Sequence, residues 1–466
     1  MRFKRILLVN PPKVDQGGYK PSPLGILYLV AYLRKQCPKI KVKVVDGAIE
    51  GEKAVLNILL LFKPDLVGIS SLTPGRHQAL WVVRNVKQLV PNSKIVLGNV
   101  HPTIMWKQMM ESYKEIDFII RGEGEETLFE LVMGYQLSDI RSLVWRTNKK
   151  IIENKIRPMI KNLNSLPFPA WDLVNPINYP SRGQGLVNGI NLSKEVRFPL
   201  IFSRGCMGTC TFCSSWLIWK GYRYRSGILV ADEIEMLNKT YGAKHFVFQD
   251  DTLTGNRDEI IMFCKEILKR NLKIAIFGTT RVDKVDLQML RVMKQAGFYE
   301  LSFGIESGSP NMLLHINKRT DIDKIKHAIR ITKKAGIKTC ALMMFGLPRE
   351  TTKDRILSKK LLDSIKPDEI GSVGAVWILP GTALYEQAKN AGLMKDSFWL
   401  SKKKYYIYRG GIGGDRINQL SRLRDELWHM FGNTLIWKMI DTINAYREKY
   451  IKRLFTYFRF SSTIHV

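Results

Sequence analysis

The chain has 466 residues, 73 Lys and Arg against 42 Asp and Glu, a formal net charge of +31 and 45% hydrophobic residues. Its length suits two or three domains of about 150 residues, and its composition excludes a disordered chain or, with six cysteines, a disulfide scaffold. No apolar run reaches the roughly 18–20 residues of a membrane-spanning helix, and the charge favours anionic partners (nucleic acid, acidic lipid, phosphorylated substrates) without choosing among them.

The first ten residues join a basic end to the four-residue apolar run Ile6–Val9, which stops at Asn10-Pro11-Pro12. This reads as a first strand and not as a signal peptide, so a cytoplasmic protein with reduced thiols is expected. A helical pattern over Leu24–Lys35 follows, then a strand at Val42–Val45, a helix over Ala54–Leu61 and a strand at Leu66–Ser70. Gln78–Val90 is helical, Ile95–Leu97 and Phe118–Ile120 are strands, and Glu125–Met133 is a helix. Such βαβ alternation over residues 1–145 predicts a Rossmann-like, doubly wound, mostly parallel sheet. Asn10-Pro11-Pro12, Ser70-Ser71-Leu72-Thr73, Gly98-Asn99-Val100-His101-Pro102-Thr103 and Arg121-Gly122-Glu123-Gly124-Glu125 fall at its strand ends. Each alone is ordinary turn chemistry; four on one rim predict a ligand edge.

Residues 146–195 read as a connector, Pro- and Asn-rich around Asn162–Asp172 and Gly-rich from Tyr179 to Asn191. A second βα series fills residues 196–398. Its strands are expected at Phe198–Ser203, Phe246–Phe248, Lys273–Phe277, Glu300–Ile305, Thr339–Phe345 and Ser372–Leu379, with helices such as Val230–Tyr241 and Asp258–Arg270 between them. Six such units predict a partial or complete parallel barrel with its active rim at the strand carboxyl ends. Residues 399–466 form a basic tail in which Leu427, Phe431, Leu435, Met439, Ile443, Tyr446, Tyr450 and Leu454 recur at helical spacing. One or two amphipathic helices are expected, capping the barrel or touching an anionic membrane surface.

Cys206-Met207-Gly208-Thr209-Cys210-Thr211-Phe212-Cys213 places three of the six cysteines within eight residues, after a strand end. Three thiolates this close point to a metal or an iron–sulfur cluster. Structural zinc takes four ligands, and the next cysteine, Cys264, lies 51 positions on in a helical pattern. A four-iron cluster with one iron open to a small ligand suits three cysteines better.

Cys-x₃-Cys-x₂-Cys with Phe212 before the third cysteine resembles the radical S-adenosylmethionine (SAM) enzymes. Gln249–Thr254, Thr280–Asp283, Gly304–Gly308, Phe345–Pro348 and Leu379–Thr382 resemble the ends of strands two to six of that family's partial (β/α)6 barrel, and Tyr222–Ser226 resembles the segment after the cluster loop. The resemblance implies a [4Fe-4S] cluster on Cys206, Cys210 and Cys213, with SAM bound by Phe212, Arg281, Glu306, Ser307 and Gly346. One electron then cleaves SAM to a 5′-deoxyadenosyl radical that abstracts a substrate hydrogen atom. Asp250 and Asp251 are expected to face substrate. The first domain resembles the cobalamin-binding domain of one large subgroup of these enzymes, which implies a corrinoid held by Asn10, Ser70, Ser71, Thr73, Gly98, Asn99, His101, Gly122 and Glu123.

Two departures stand out. Asp-x-His-x-x-Gly, which supplies a histidine to cobalt in other cobalamin proteins, is absent, so His101 is not assigned as a cobalt ligand; Asn99 stands where the subgroup commonly has glycine. The function implied is methylation of an unactivated carbon on a small-molecule or lipid-like substrate, with ferredoxin or flavodoxin as electron donor. Trp377, Trp399, Tyr405 and Tyr406 are candidate pocket aromatics. The alternatives are a radical cyclase or oxidoreductase of the tetrapyrrole-cyclase type, or a non-catalytic cobalamin or redox sensor. Nucleic acid is not favoured: tRNA methylthiotransferases carry a second cysteine triad in their first domain, where this chain has only Cys37.

Overall fold

The computed structural model describes residues 1–12, 21–148, 150–179 and 183–400. The expected basic helices beyond residue 400, with Tyr405 and Tyr406, lie outside the described residues.

Strands β1 (Arg5–Asn10), β2 (Lys41–Asp46), β3 (Leu66–Ser70), β4 (Lys94–Gly98) and β5 (Phe118–Ile120) pair in parallel, and β6 (Leu143–Arg146) and β7 (Ile151–Glu153) extend the sheet antiparallel. The order is β2-β1-β3-β4-β5-β6-β7. β1 and β3 are apolar along their length because helices cover both faces. Connections leave β1 toward β2 and β3 toward β4 on opposite sides, so the crevice between the carboxyl ends of β1 and β3 is the topological switch point, where doubly wound sheets bind ligands. Asn10 and Ser70 end those two strands.

Two features depart from the sequence reading. Residues Val100–Ser112, expected to begin as a turn at His101-Pro102, form a helix from Val100. Proline is tolerated in a first helical turn, where no intrahelical N–H bond is lost. The sheet also continues past residue 145 through β6 and β7.

The connector wraps. Leu163, Leu166 and Trp171 are buried in one apolar cluster with Leu27 and Tyr28 of the first domain and Phe198, Phe202 and Val230 of the second. Ala170 N donates to Leu27 O at 3.2 Å, and Arg34 pairs with Asp172 at 2.7 Å. A short hairpin, β8 (Leu186–Val187) and β9 (Ile190–Asn191), completes it.

The second sheet holds β10 (Arg197–Leu200), β13 (His245–Phe248), β14 (Ala275–Thr280), β15 (Phe298–Glu306), β16 (Lys338–Phe345) and β17 (Glu369–Ala375), in that order and all parallel. It is an open, six-unit partial barrel. Leu301, Phe303 and Ile305 pack under the helices; by strand alternation Ser302, Gly304 and Glu306 occupy the inner face. Between β10 and β13, β11 (Ser203–Arg204) and β12 (Arg223–Tyr224) pair antiparallel and bracket the cysteine loop.

The two domains share a second core. Leu97, Met105 and Met109 cluster with Met312, Ile316, Leu347, Ile378, Tyr385 and Trp399. Polar ties reinforce it: Gln108 Nε2 to Asp396 at 2.8 Å, Tyr113 OH to Leu400 O at 2.9 Å, and Arg76 Nε to Trp399 O at 2.8 Å. Trp399, expected to line a substrate pocket, is instead core: it is 2% exposed and lies on the Arg76 guanidinium at 5.0 Å.

Candidate active site

Gly205 starts the cysteine loop at φ 90°, and a Cβ there would meet Gly221 O at 1.9 Å, so only glycine lets the loop cross the following turn. Backbone bonds then pin the loop from two sides: Thr211 N donates to Ile316 O and Leu384 N to Thr211 O, both at 3.0 Å. Asn317 Nδ2 donates to Thr209 O and Thr209 Oγ1 at 3.1 and 2.8 Å. Gly208 N donates to Cys206 Sγ at 3.3 Å and Ser215 N to Cys213 Sγ at 3.4 Å. The Cys206 sulfur also meets Thr252 Oγ1 at 3.2 Å.

The sulfurs of Cys206 and Cys210 lie 3.6 and 3.7 Å from where a Cβ on Gly208 would sit, and Arg281 Nη1 lies 2.8 Å from it. Gly208 thus leaves a hollow between two thiols and one guanidinium. Burial pushes the Cys213 thiol up to about 12, and that of Cys210 upward too. Thiols this desolvated hold charge poorly unless a cation meets them.

Cations do converge here. Arg281 is buried, donates to Asp283 Oδ1 at 2.8 Å and to Lys318 O at 3.1 Å. Lys318, also buried, places its ammonium 2.8 Å from Glu306 Oε1. Further along the rim, Gly346 N donates to Glu350 Oε2 at 2.7 Å, while Glu350 Oε1 has no partner among the described residues. Burial raises the Glu350 carboxyl to about 7.

On the first domain, Ser71 lies at the carboxyl end of β3, fully buried, and its hydroxyl has no partner among the described residues. Nothing lies within 4 Å of where a Cβ on Gly98 would point. Asn99 adopts φ 84°, ψ −170°, a conformation ordinarily left to glycine, and is held there by its own Oδ1 accepting from Val100 N and its Nδ2 donating to Ser70 Oγ at 2.9 Å. The rim is therefore a buried, unsatisfied hydroxyl beside open backbone. It faces the barrel rim: a Cβ on Gly381, after β17, would lie 2.8 Å from Ile104 of the helix that follows Asn99, and Phe212 packs on the shared core.

The radical SAM superfamily model matches residues 200–362, and the B12 binding domain model matches residues 14–132. The chain is 31% identical over 410 residues to the uncharacterized methyltransferase PH0819 of Pyrococcus horikoshii, covering 86% of each chain. It belongs to the radical SAM superfamily. It is 32% identical to the anaerobic magnesium-protoporphyrin IX monomethyl ester cyclase of Cereibacter sphaeroides, spanning 83% of this chain and 64% of the cyclase. Its fold matches the radical SAM methyltransferase TsrM from Kitasatospora setae, solved with cobalamin and a [4Fe-4S] cluster (TM-score 0.68, 17% identity, 84% of this chain and 75% of that one). It also matches the cobalamin-dependent radical enzyme OxsB (TM-score 0.68, 20% identity, 92% and 62%).

This radical SAM enzyme carries sites for a [4Fe-4S] cluster, SAM and cobalamin, and its residues fit all three. Two of the three buried or half-buried thiols, those of Cys206 and Cys210, border the Gly208 hollow, charged groups of both signs stand beside it, and the orphan Ser71 hydroxyl stands on the first-domain rim.

Several expected ligand residues are committed elsewhere. Glu123 accepts from Arg204 Nη1 at 2.7 Å, Arg223 Nη1 at 2.9 Å and Ile160 N at 2.7 Å, so its carboxylate joins domains and does not face the corrinoid rim. Asn10 donates to Asp46 Oδ1 at 2.6 Å. Thr73 Oγ1 meets His101 Nδ1 at 3.3 Å, and burial holds that imidazole neutral with its pKa down at about 3. Gly122, at φ 80°, donates its N–H to Thr103 Oγ1 at 3.1 Å. Ser307 is fully buried, bonded to Ser309 N and Ser358, so its hydroxyl ties the β15 loop to a helix. Asp250 accepts from Phe202 N at 3.0 Å and from Ser203, tying the segment after β13 to the one after β10, and burial raises its carboxyl to about 7. Asp251 is exposed and accepts from Ser215 beside the cysteine loop. Of the expected ligand residues, Ser71 keeps a hydroxyl with no partner among the described residues, Gly98 has open space beside it and Asp251 is exposed, while Arg281, Glu306 and Gly346 pair with Asp283, Lys318 and Glu350.

Sequence reasoning missed Arg204, Asn317, Lys318 and Glu350. Two of the partners lie far along the chain, 81 residues for Arg204 and Glu123 and 108 for Asn317 and Thr209, whereas Lys318 pairs with Glu306 12 residues away and Glu350 with Gly346 four away.

Proposed function

We propose that the chain methylates an unactivated carbon of a small-molecule or lipid-like substrate, using cobalamin and SAM together. The observation that carries this reading is the apposition of the two rims: Gly381 against Ile104, and Phe212 on the core shared with Leu97 and Met105. A methyl carrier on one rim and a radical source on the other would then reach one substrate between them. When bound, the cluster and SAM supply a carbon-centred radical, and cobalamin supplies the methyl group.

The chain's own residues hold and orient. Cys206, Cys210 and Cys213 anchor the cluster. Arg281 offers a fixed guanidinium to the methionine carboxylate and Glu306 a carboxylate to its ammonium, charge-assisted pairs of the stronger kind. Ser70, Ser71, Gly98 and Asn99 let the corrinoid approach backbone closely. Asp251 and Trp377 are exposed and would be available to contact substrate. The basic surface favours an acidic electron donor of the ferredoxin or flavodoxin type and, as a separate use of the same charge, peripheral contact with an anionic membrane from the cytoplasmic side. No helix among the described residues is long and apolar enough to cross a membrane.

The test needs no substrate. Protein reconstituted with iron, sulfide and hydroxocobalamin is reduced anaerobically and given SAM, and its nucleoside products are separated. Methyl transfer with radical chemistry gives both S-adenosylhomocysteine and 5′-deoxyadenosine. 5′-Deoxyadenosine alone overturns the methyltransferase reading in favour of cyclisation or oxidation, the reaction class of the Cereibacter relative.

A further inference from the structure

Lys318 brings a buried positive charge to the cysteine loop that no part of the reading above uses. It is 7% exposed. Its ammonium lies over Gly304: a Cβ there would meet Lys318 Nζ at 2.8 Å and Glu306 Oε1 at 2.7 Å. Glycine at 304 is thus what lets the Lys318–Glu306 pair stand inside the barrel. The same short segment grips the loop itself, through Ile316 O on Thr211 N, Asn317 on Thr209 and Lys318 O on Arg281. Arg281, which Lys318 O holds, itself stands 2.8 Å from where a Cβ on Gly208 would sit, between the Cys206 and Cys210 sulfurs. The charge is therefore fixed relative to the cysteine loop by the same bonds that fix the loop.

We propose that Lys318 is a positioning residue that sets the reduction potential of the cluster on Cys206, Cys210 and Cys213, with Glu306 as its counterweight. The physical basis is Coulombic. Reducing the cluster adds one negative charge. A buried cation nearby stabilises the reduced state and raises the potential, and a buried anion lowers it. In a low-dielectric barrel these effects are screened little. Glu306, at φ 67°, is also the residue proposed above to meet the SAM ammonium. Binding there would loosen its hold on Lys318 and leave the cation more fully expressed toward the cluster. Substrate binding and ease of reduction would thus be linked through one carboxylate.

The inference rests on the cluster assignment, and the experiment separates the two. Wild type, Lys318→Met, Lys318→Arg and Glu306→Gln are reconstituted anaerobically, iron and sulfide are counted, and the cluster potential is measured without SAM by an electron-paramagnetic-resonance titration against redox mediators. The expected result is opposite shifts. Lys318→Met falls and Glu306→Gln rises, each changing the ratio of reduced to oxidised cluster at fixed potential by about tenfold or more, about 59 mV for one electron, while Lys318→Arg stays near wild type. A purely structural role for Lys318 would not give opposite signs. If Lys318→Met fails to hold a cluster, the rise in Glu306→Gln still decides. Potentials within error of wild type in cluster-loaded variants, or shifts of the same sign, overturn the inference. Failure of wild type to take up about four irons would instead overturn the cluster assignment.

Discussion

Glu123 of the first domain and Arg204 of the second meet at 2.7 Å, with side chains 5% and 7% exposed, two residues before Cys206. Arg204 also pairs with Glu125 at 2.6 Å, Arg223 with Glu123 at 2.9 Å, and the Arg204 guanidinium lies over Tyr28 and Trp219 at 5.5 and 5.7 Å. Two carboxylates and two guanidiniums therefore cancel in a buried clasp that fixes the cysteine loop to the corrinoid-type domain.

Removing one partner of such a clasp leaves charge buried and unpaired, at a cost of about 3–5 kcal/mol. Glu123→Ala should lower the thermal midpoint markedly and reduce the iron retained per chain after gel filtration. A variant with unchanged midpoint and iron content would show that the clasp neither stabilises the fold nor seats the loop.

Gly205→Ala should be more local. The added methyl meets Gly221 O at 1.9 Å on a backbone at φ 90°, so the turn into Cys206 must shift. Iron and sulfide per chain should collapse while the far-ultraviolet circular dichroism stays near wild type. Full cluster occupancy would mean the loop tolerates displacement that its bonds to Ile316 and Leu384 argue against.

Ser71 gives a prediction of mixed sign. Its hydroxyl is buried and unpartnered among the described residues, so Ser71→Ala should leave the cobalamin-free protein as stable or slightly more so. If the hydroxyl serves the corrinoid, the same change should weaken hydroxocobalamin binding by up to about tenfold, one hydrogen bond's worth. Unchanged affinity in an absorbance titration would remove Ser71 from the site.

The clasp also shows what one chain can and cannot reveal about itself. The strand Leu66–Ser70 and the helix Glu125–Met133 match their expected bounds, because apolar periodicity is local. The cysteine loop was legible because its chemistry sits within eight residues. Glu123 read as a rim residue because its turn is Gly-rich; its partners Arg204 and Arg223 lie 81 and 100 residues away. Asp250 and Ser307 occupy family-like strand ends yet spend their polar atoms on neighbouring loops. Position along a strand places a residue at the rim, but only packing decides which way its side chain is spent.

His101 predicts a pH dependence. Its folded pKa is held down at about 3 by burial, then by the nearby charge of Arg76, against about 6.5 in an unfolded chain. Between those values the unfolded state binds a proton the folded state refuses, so this contribution is fully present above about 6.5 and is lost as pH falls. Thermal midpoints of wild type should drop more steeply from pH 7 to pH 5 than those of His101→Asn. Parallel curves would show that the imidazole titrates freely in the folded protein.

The most direct test of the account is to purify the chain anaerobically from cobalamin-supplied cells and to count iron, sulfide and cobalt per chain. Two cofactor sites on facing rims predict about four irons, about four sulfides and one cobalt, with the iron lost and the cobalt kept in a Cys206→Ala, Cys210→Ala, Cys213→Ala triple variant. Four irons with no cobalt, even after reconstitution with hydroxocobalamin, would contradict it.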